Sequence, residues 1–330
     1  MARKKLTKKQ RTTRNRIIVG LIVGLIIFVG GFWLGGQQSS GQSFSNYIEE
    51  TVASVRNWWD EQKRAATVPQ SEMPIQVHVL DVGQGSATLL QSSDGTNILI
   101  DSGRHNDGER KILTYLDQYI GSGGTIDLLI LTHNHSDHIG YADEILNYYQ
   151  VSQVWMNGLD ADSDVYLRVL EAVDASGAEY KEPKAGDQAQ VGPFAINVLY
   201  PTAGLDSSDQ NSHSIATHIS ANGMSIVQTG DAYKADEETM FEKAFDVKAN
   251  VLIVGHHGSN TSSSKEWVQA VNPDVAVYSA GANNSYGHPH EETLTLYEKL
   301  GIPLYGTDVN GSMHIYSDEY GTFRYEVDRE

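Results

Sequence analysis

The sequence predicts an α/β sandwich, two β-sheets face to face with helices outside them, preceded by a single N-terminal transmembrane helix. Three observations carry that expectation. Three strand-like runs open the region that begins at residue 75, and helical and strand-like runs are interspersed from there onward. Residues 17–36 contain no charged side chain. A chain of 330 residues can bury one full-sized catalytic core with accessory segments.

Arg3, Lys4, Lys5, Lys8, Lys9, Arg11, Arg14 and Arg16 give residues 1–16 a charge of +8. The whole chain carries −18, so the rest carries −18 less 8, or −26. So acidic a body repels polyanions over most of its surface. As a helix, residues 17–36 extend roughly 30 Å, enough to cross a bilayer core. A cleavable signal peptide is the competing reading, but the run is long for one and no Ala-x-Ala site follows closely. No Lys or Arg follows the leader until Arg56, so the positive-inside rule leaves the N-terminus cytoplasmic and the bulk outside. The expected divisions are a basic leader (1–16), a membrane span (17–36), an extracytoplasmic stalk (37–74) and a catalytic domain (75–330). Ile48, Val52, Val55 and Trp59 recur at helical spacing in the stalk, which Pro69 and Pro74 close. The chain has no cysteine, which excludes disulfides and thiolate zinc sites.

In the catalytic domain, residues 75–81, 87–91 and 97–101 read as strands, the last two joined by the turn Ser92-Ser93-Asp94-Gly95. Residues 110–120 read as a helix, 127–131 as a buried strand and 138–149 as a helix. Further helices are expected at 165–174, 236–245, 265–270 and 291–300, with strands at 194–199, 214–220, 225–229, 251–254 and 275–279. A last strand pair is expected near His314 and Arg324.

The strand at 127–131 ends in Thr132-His133-Asn134-His135-Ser136-Asp137-His138, three imidazoles and a carboxylate within six positions. His133 and His135 can aim to one side of an extended turn, whereas the neighbours Asp137 and His138 must diverge. Divergent neighbours suit two metal ions side by side, and nitrogen and oxygen donors suggest zinc or manganese. A merely polar, histidine-rich turn is the alternative. Asp231 ends another strand and could bridge two metals, or cap the helix after it. His256 and His257 end a third; one is expected to complete the second metal's shell, the other to orient substrate or donate a proton. His213 is a candidate third ligand of the first metal. His288 is suited to hold an oxyanion or protonate a leaving group, and Asp101 to accept from a ligating imidazole or to cap a turn. The catalytic candidates are therefore Asp137, His256, His257 and His288. Gly83-Gln84-Gly85 is not a dinucleotide fingerprint, because Thr88 stands at the third glycine position and a strand follows.

His133 to His138 matches the His-x-His-x-Asp-His motif of the metallo-β-lactamase fold hydrolases. Together with Asp81 to Gly85, Thr229-Gly230-Asp231, His256 to Ser259 and Asn284 to His290, it resembles the hydrolase domain of ComEC-type competence proteins. The resemblance implies a four-layer αββα sandwich with a two-zinc site at one edge of the sheets. It implies that His133 and His135 serve one metal and Asp137 and His138 the other, with Asp231 bridging and His256 or His257 finishing the second. Ser86 stands where relatives often carry Asp, and His213 falls on a variable position of the family's Asn-x-x-Ser element. Relatives of this type add a multi-pass channel, whereas one span is read here, so hydrolase chemistry is carried over and DNA uptake is not. The expected function is metal-dependent hydrolysis of a phosphodiester, by attack of a hydroxide shared between two cations. Its substrate would be nucleic acid or an envelope polymer; the alternatives are a phosphorylcholine or teichoic-acid esterase and a non-catalytic envelope-binding domain. No obligate protein partner is expected.

Overall fold

A computed structural model describes residues 74–329, apart from 106, 107, 244, 319 and 321. The basic leader, the membrane span and all but the last residue of the stalk lie outside the described residues. Among the described residues, no helix is long and apolar enough to cross a membrane.

The first sheet has eight strands, in the order Phe323–Val327, Met313–Ser317, Ile75–Val79, Thr88–Ser92, Asn97–Ile100, Leu128–Ile130, Gln153–Trp155 and Glu179–Lys181. Pairing is antiparallel as far as Asn97–Ile100 and parallel beyond it. The second sheet has seven, in the order Leu304–Gly306, Val275–Tyr278, Val251–Ile253, Met224–Gln228, Ala216–Ala221, Phe194–Tyr200 and Gln188–Val191. Its first four are parallel and the others antiparallel.

Strand periodicity builds the layers. Leu128 and Ile130 point into the apolar layer between the sheets, where they join Val77, Leu90, Ile226, Ile253 and Val277. Leu129, Leu131 and Leu99 point the other way, against helices Lys111–Ile120, Ala142–Tyr148 and Asp164–Ser176. Leu252, Ala276 and Val227 do the same for the second sheet, against helices Lys234–Glu242, Lys265–Val271 and Glu291–Leu300. Both faces of each central strand are thus covered, which explains the unbroken apolar runs. Each fully buried Leu, Ile or Val stabilises the fold by roughly 1.5–3 kcal/mol. The expected αββα sandwich is the observed one.

Two expectations are corrected. The helix expected from residue 138 begins at Ala142, because His138 N–H donates to His135 O at 3.0 Å and Gly140 N–H to Gly103 O at 2.9 Å, which turns the chain first. The strand expected from residue 214 begins at Ala216, after a 3-10 turn at Asn211–His213. Strands Gln153–Trp155, Glu179–Lys181, Gln188–Val191 and Leu304–Gly306 were not expected.

Candidate metal centre

Parallel strands from both sheets end along one edge of the sandwich, and the loops that leave them carry the chemistry, as open α/β sheets favour. Asp101 follows Asn97–Ile100 and the histidine motif follows Leu128–Ile130. Asp231 follows Met224–Gln228 and His257 follows Val251–Ile253. Segments up to 156 residues apart in sequence, Asp101 to His257, therefore meet in space.

His138 Nε2 lies 3.2 Å from His257 Nε2 and 3.3 Å from Asp231 Oδ1. His257 Nε2 lies 3.5 Å from Asp137 Oδ2. On the other side, His133 Nε2 is 3.0 Å from His135 Nδ1 and 3.7 Å from Asp231 Oδ2. Zinc bonds of about 2.0–2.2 Å in a tetrahedron hold neighbouring donors roughly 3.3 Å apart, so these spacings suit a cation. Two groups of donors each converge closely enough to hold a metal ion, His133 with His138 and Asp231, and Asp137 with His138 and His257.

The hydrogen bonds decide which nitrogens face inward. Asp101 Oδ2 lies 2.7 Å from His138 Nδ1, and Ser279 O lies 2.8 Å from His257 Nδ1. Neither oxygen can donate, so both Nδ1 atoms carry hydrogen and both Nε2 atoms of the neutral rings present lone pairs. Two lone pairs facing at 3.2 Å repel unless a cation or a shared proton lies between them. Thr132 Oγ1 donates to Asp101 Oδ2 at 3.0 Å and so accepts from His133 Nδ1 at 3.2 Å, which turns the His133 Nε2 lone pair toward His135. The donor set fits a divalent metal.

Charge agrees with geometry. Burial opposes the charges of Asp231 and Asp137, yet the surrounding imidazoles hold both carboxyls well below the usual range. Burial likewise opposes a charged His138 or His257, but Asp231 and the other carboxylates nearby raise both. Burial, with the neighbouring His138, keeps His133 neutral. A cation seated among these groups takes the place of the protons that they would otherwise share.

Local backbone choices position the donors. His256 and His257 adopt left-handed φ of 51° and 56°, conformations that cost of order 1–3 kcal/mol each for non-glycine residues. They are held by His256 N–H to Gly230 O at 3.0 Å and by Ser259 N–H to His256 O at 2.8 Å. Gly85 explains the glycine loop: a Cβ there would stand 2.6 Å from Asp137 O. Ser86 N–H donates to that same carbonyl at 3.0 Å, so Ser86 supports the histidine loop through its backbone.

His133, His135, Asp137, His138, Asp231 and His257 come together as expected from the sequence. Asp101 accepts from the His138 imidazole, as described above. His256 lies at the rim, with Nε2 3.6 Å from Asp231 Oδ2 and Nδ1 2.9 Å from Thr261 Oγ1. His288 lines the same cavity of about 320 Å³, together with Gln84, Asn211 and Tyr286; burial and the neighbouring imidazoles push its pKa down to about 4.

His213 belongs to neither donor group. It is the third residue of the 3-10 turn, and at three residues per turn its side chain leaves in a different direction from that of Asn211. The charges that act on it are those of Lys184, Asp236 and Asp209. Asn211 takes the place beside the cavity instead, with its Oδ1 buried and without a hydrogen-bond partner and its Nδ2 donating to Tyr233 Oη at 3.0 Å. Ser214 Oγ, from the same Asn-x-x-Ser element, accepts from Asp231 N–H at 3.0 Å and lies 3.4 Å from His133 Nδ1. The motif was legible in the sequence; which of its side chains faces the cavity was not.

The model of the Metallo-beta-lactamase superfamily matches residues 80–282. ComE operon protein 3 of Bacillus subtilis (strain 168) is 32% identical over 266 residues, 75% of this chain and 34% of its own. Competence protein ComA of Neisseria gonorrhoeae is 30% identical over 251 residues, 76% of this chain and 33% of its own. The chain spans about a third of the length of these curated relatives. Among solved structures, a variant of the CmlA beta-hydroxylase aligns over 76% of this chain and 54% of its own, with a TM-score of 0.50 at 14% identity, a likeness of fold alone. CmlA comes from Streptomyces venezuelae.

Proposed function

Because the chain belongs to the metallo-beta-lactamase superfamily, we propose that this metal-dependent hydrolase uses two divalent cations to cleave phosphodiester bonds of nucleic acid. We further propose that residues 17–36 anchor it in a membrane, with the catalytic domain on the extracytoplasmic side. The observation that carries the metal chemistry is the pair of imidazole lone pairs facing at 3.2 Å between His138 and His257, flanked by Asp137 and Asp231. Similarity to a protein named for competence supports nucleic acid as the substrate.

In this reading His133, His135 and Asp231 would hold the first cation, and the orphaned Oδ1 of Asn211 is the further donor at hand. Asp137, His138 and His257 would hold the second, with Asp231 beside them, its Oδ1 3.3 Å from His138 Nε2. Zinc suits this mixture of imidazole and carboxylate, and manganese is the alternative. Bound there, the cations supply Lewis acidity and lower the pKa of water toward neutrality. The chain's own residues do the rest. Asp101 and Thr132 fix the tautomers of His138 and His133, and Ser279 fixes that of His257. His288, on the cavity wall, would hold a non-bridging phosphate oxygen. His256 at the rim, whose pKa burial and the neighbouring imidazoles lower, would hand on a proton from water to the departing oxygen rather than store one.

A second reading, an esterase acting on phosphorylcholine or teichoic-acid-like polymers, is favoured by the charge of −26 outside the leader, which opposes nonspecific DNA binding. Both are tested on the full chain, stripped of metal, reloaded with zinc or manganese, and given DNA and a choline-phosphate ester in parallel. Metal-dependent DNA cleavage, lost in His135→Ala and Asp137→Ala, is the expected result. Turnover of the choline ester with DNA left intact overturns the nuclease reading.

A further inference from the structure

Three aromatic rings step outward from the metal centre, each tilted by 24–25° from its neighbour. The ring of His257, whose Nε2 faces the cation site, lies 6.2 Å from that of His288 at an interplanar angle of 25°. His288 in turn lies 5.8 Å from Tyr286 at 24°. Tyr286 is 51% exposed, yet it lines the cavity that holds His135, Asp137 and Asp231. Its loop is pinned from within: Asn284 Oδ1 accepts from both Tyr286 N–H and His288 N–H, each at 3.1 Å, and Asn284 Nδ2 donates to Gly281 O at 2.9 Å. A large aromatic side chain held on a braced loop at the mouth of a catalytic cavity, half open to water, contributes little to core packing. It offers a flat face.

We propose that Tyr286 is a stacking platform for an unpaired nucleobase beside the scissile phosphate, so that the substrate class is single-stranded nucleic acid. The inference rests on the phosphodiesterase reading above and deepens it. Electrostatics selects the occupant. Two dications outweigh the two carboxylates Asp137 and Asp231, so the bound cavity attracts a phosphate and repels a second positive group. A quaternary ammonium is recognised by a cage of aromatic faces, whereas here one exposed phenol is backed by the His288 and His257 imidazoles beside the cation site. A neutral planar base meets neither obstacle, and a base stacks on a protein ring when it is free of its own helix. A duplex keeps its bases stacked and paired and brings denser charge toward an acidic body.

The test uses the metal-loaded full chain, an oligothymidylate, and an oligonucleotide of the same length with abasic sites at every position. KM and kcat are measured for cleavage, and binding is followed separately by fluorescence polarisation. Wild type is expected to prefer the thymidylate in KM, and Tyr286→Ala to abolish that preference by raising KM on the order of 10- to 100-fold. Tyr286→Phe, which keeps the ring, is expected to retain it. Equal KM values for Tyr286→Ala and wild type on thymidylate overturn the platform while leaving the nuclease reading intact. A preference that survives in Tyr286→Ala does the same. Wild-type protein that binds thymidylate through Tyr286 but cleaves neither oligonucleotide supports the platform and overturns the hydrolytic reading. Tyr286-dependent hydrolysis of a choline-phosphate ester, with no thymidylate binding, overturns both.

Discussion

Asp101 Oδ2 accepts the Nδ1 hydrogen of His138 at 2.7 Å, and both side chains are buried. Through Thr132 the same carboxylate also sets the ring of His133, so one aspartate, itself at a left-handed φ of 60°, orients an imidazole of each donor group. Asp101→Asn tolerates that φ but turns one acceptor into a donor facing donors. Metal affinity is expected to fall on the order of 10- to 100-fold, read by competition against a chromophoric chelator, with the far-ultraviolet circular dichroism retained. Unaltered affinity contradicts the role given to Asp101.

Asn211 offers an amide oxygen where a third imidazole would bind a borderline metal more tightly. Titration of the stripped protein is expected to resolve a tighter and a weaker site. Asn211→Ala should weaken one of them further, and Asn211→His should narrow the gap. Identical isotherms for all three proteins would remove Asn211 from the first cation's surroundings.

Away from the centre, Glu237 is buried and accepts Ser263 N–H at 2.6 Å and Ser264 N–H at 2.8 Å. Burial pushes its pKa up from 4.5 to about 7, against the pull of those two bonds. The folded state thus holds the proton more tightly than the unfolded state. Its contribution to stability is fully present below pH 4.5 and is lost as pH rises to about 7, on the order of 3 kcal/mol. Glu237→Gln cannot ionise, so urea melts across that window should show its stability relative to wild type rising with pH. Parallel profiles contradict the burial argument.

The anchor makes its own prediction. The full chain should sediment with membranes after alkaline extraction, a chain lacking residues 1–36 should not, and protease added to intact cells should reach residues 75–330. Recovery of the full chain in the alkaline supernatant argues against a span.

How far the sequence reveals this protein depends on the scale of the signal. The histidine motif was legible because its donors lie within six positions, and Asp231 and His257 because each follows an apolar strand. His213 misled, since a 3-10 turn exchanges inward and outward side chains in a way that residue type does not record. Glu179–Lys181 was missed because an exposed edge strand has no apolar alternation. Gln153–Trp155 was missed because the polar Ser152 and Gln153 interrupt its apolar run, whereas Leu128–Ile130 and Val251–Ile253 are as short but unbroken. Asp101 was ambiguous until its partners were known, because a capping aspartate and one that orients an imidazole look alike in a strand-end loop.

The metal content of the full chain, measured by mass spectrometry after reloading with zinc, is the most direct test of the two-cation site. Two ions per chain are expected, falling to one or fewer in Asp231→Ala, with thermal stability falling in step. A folded wild-type chain that takes up no zinc, or an Asp231→Ala variant that keeps both ions, would contradict it.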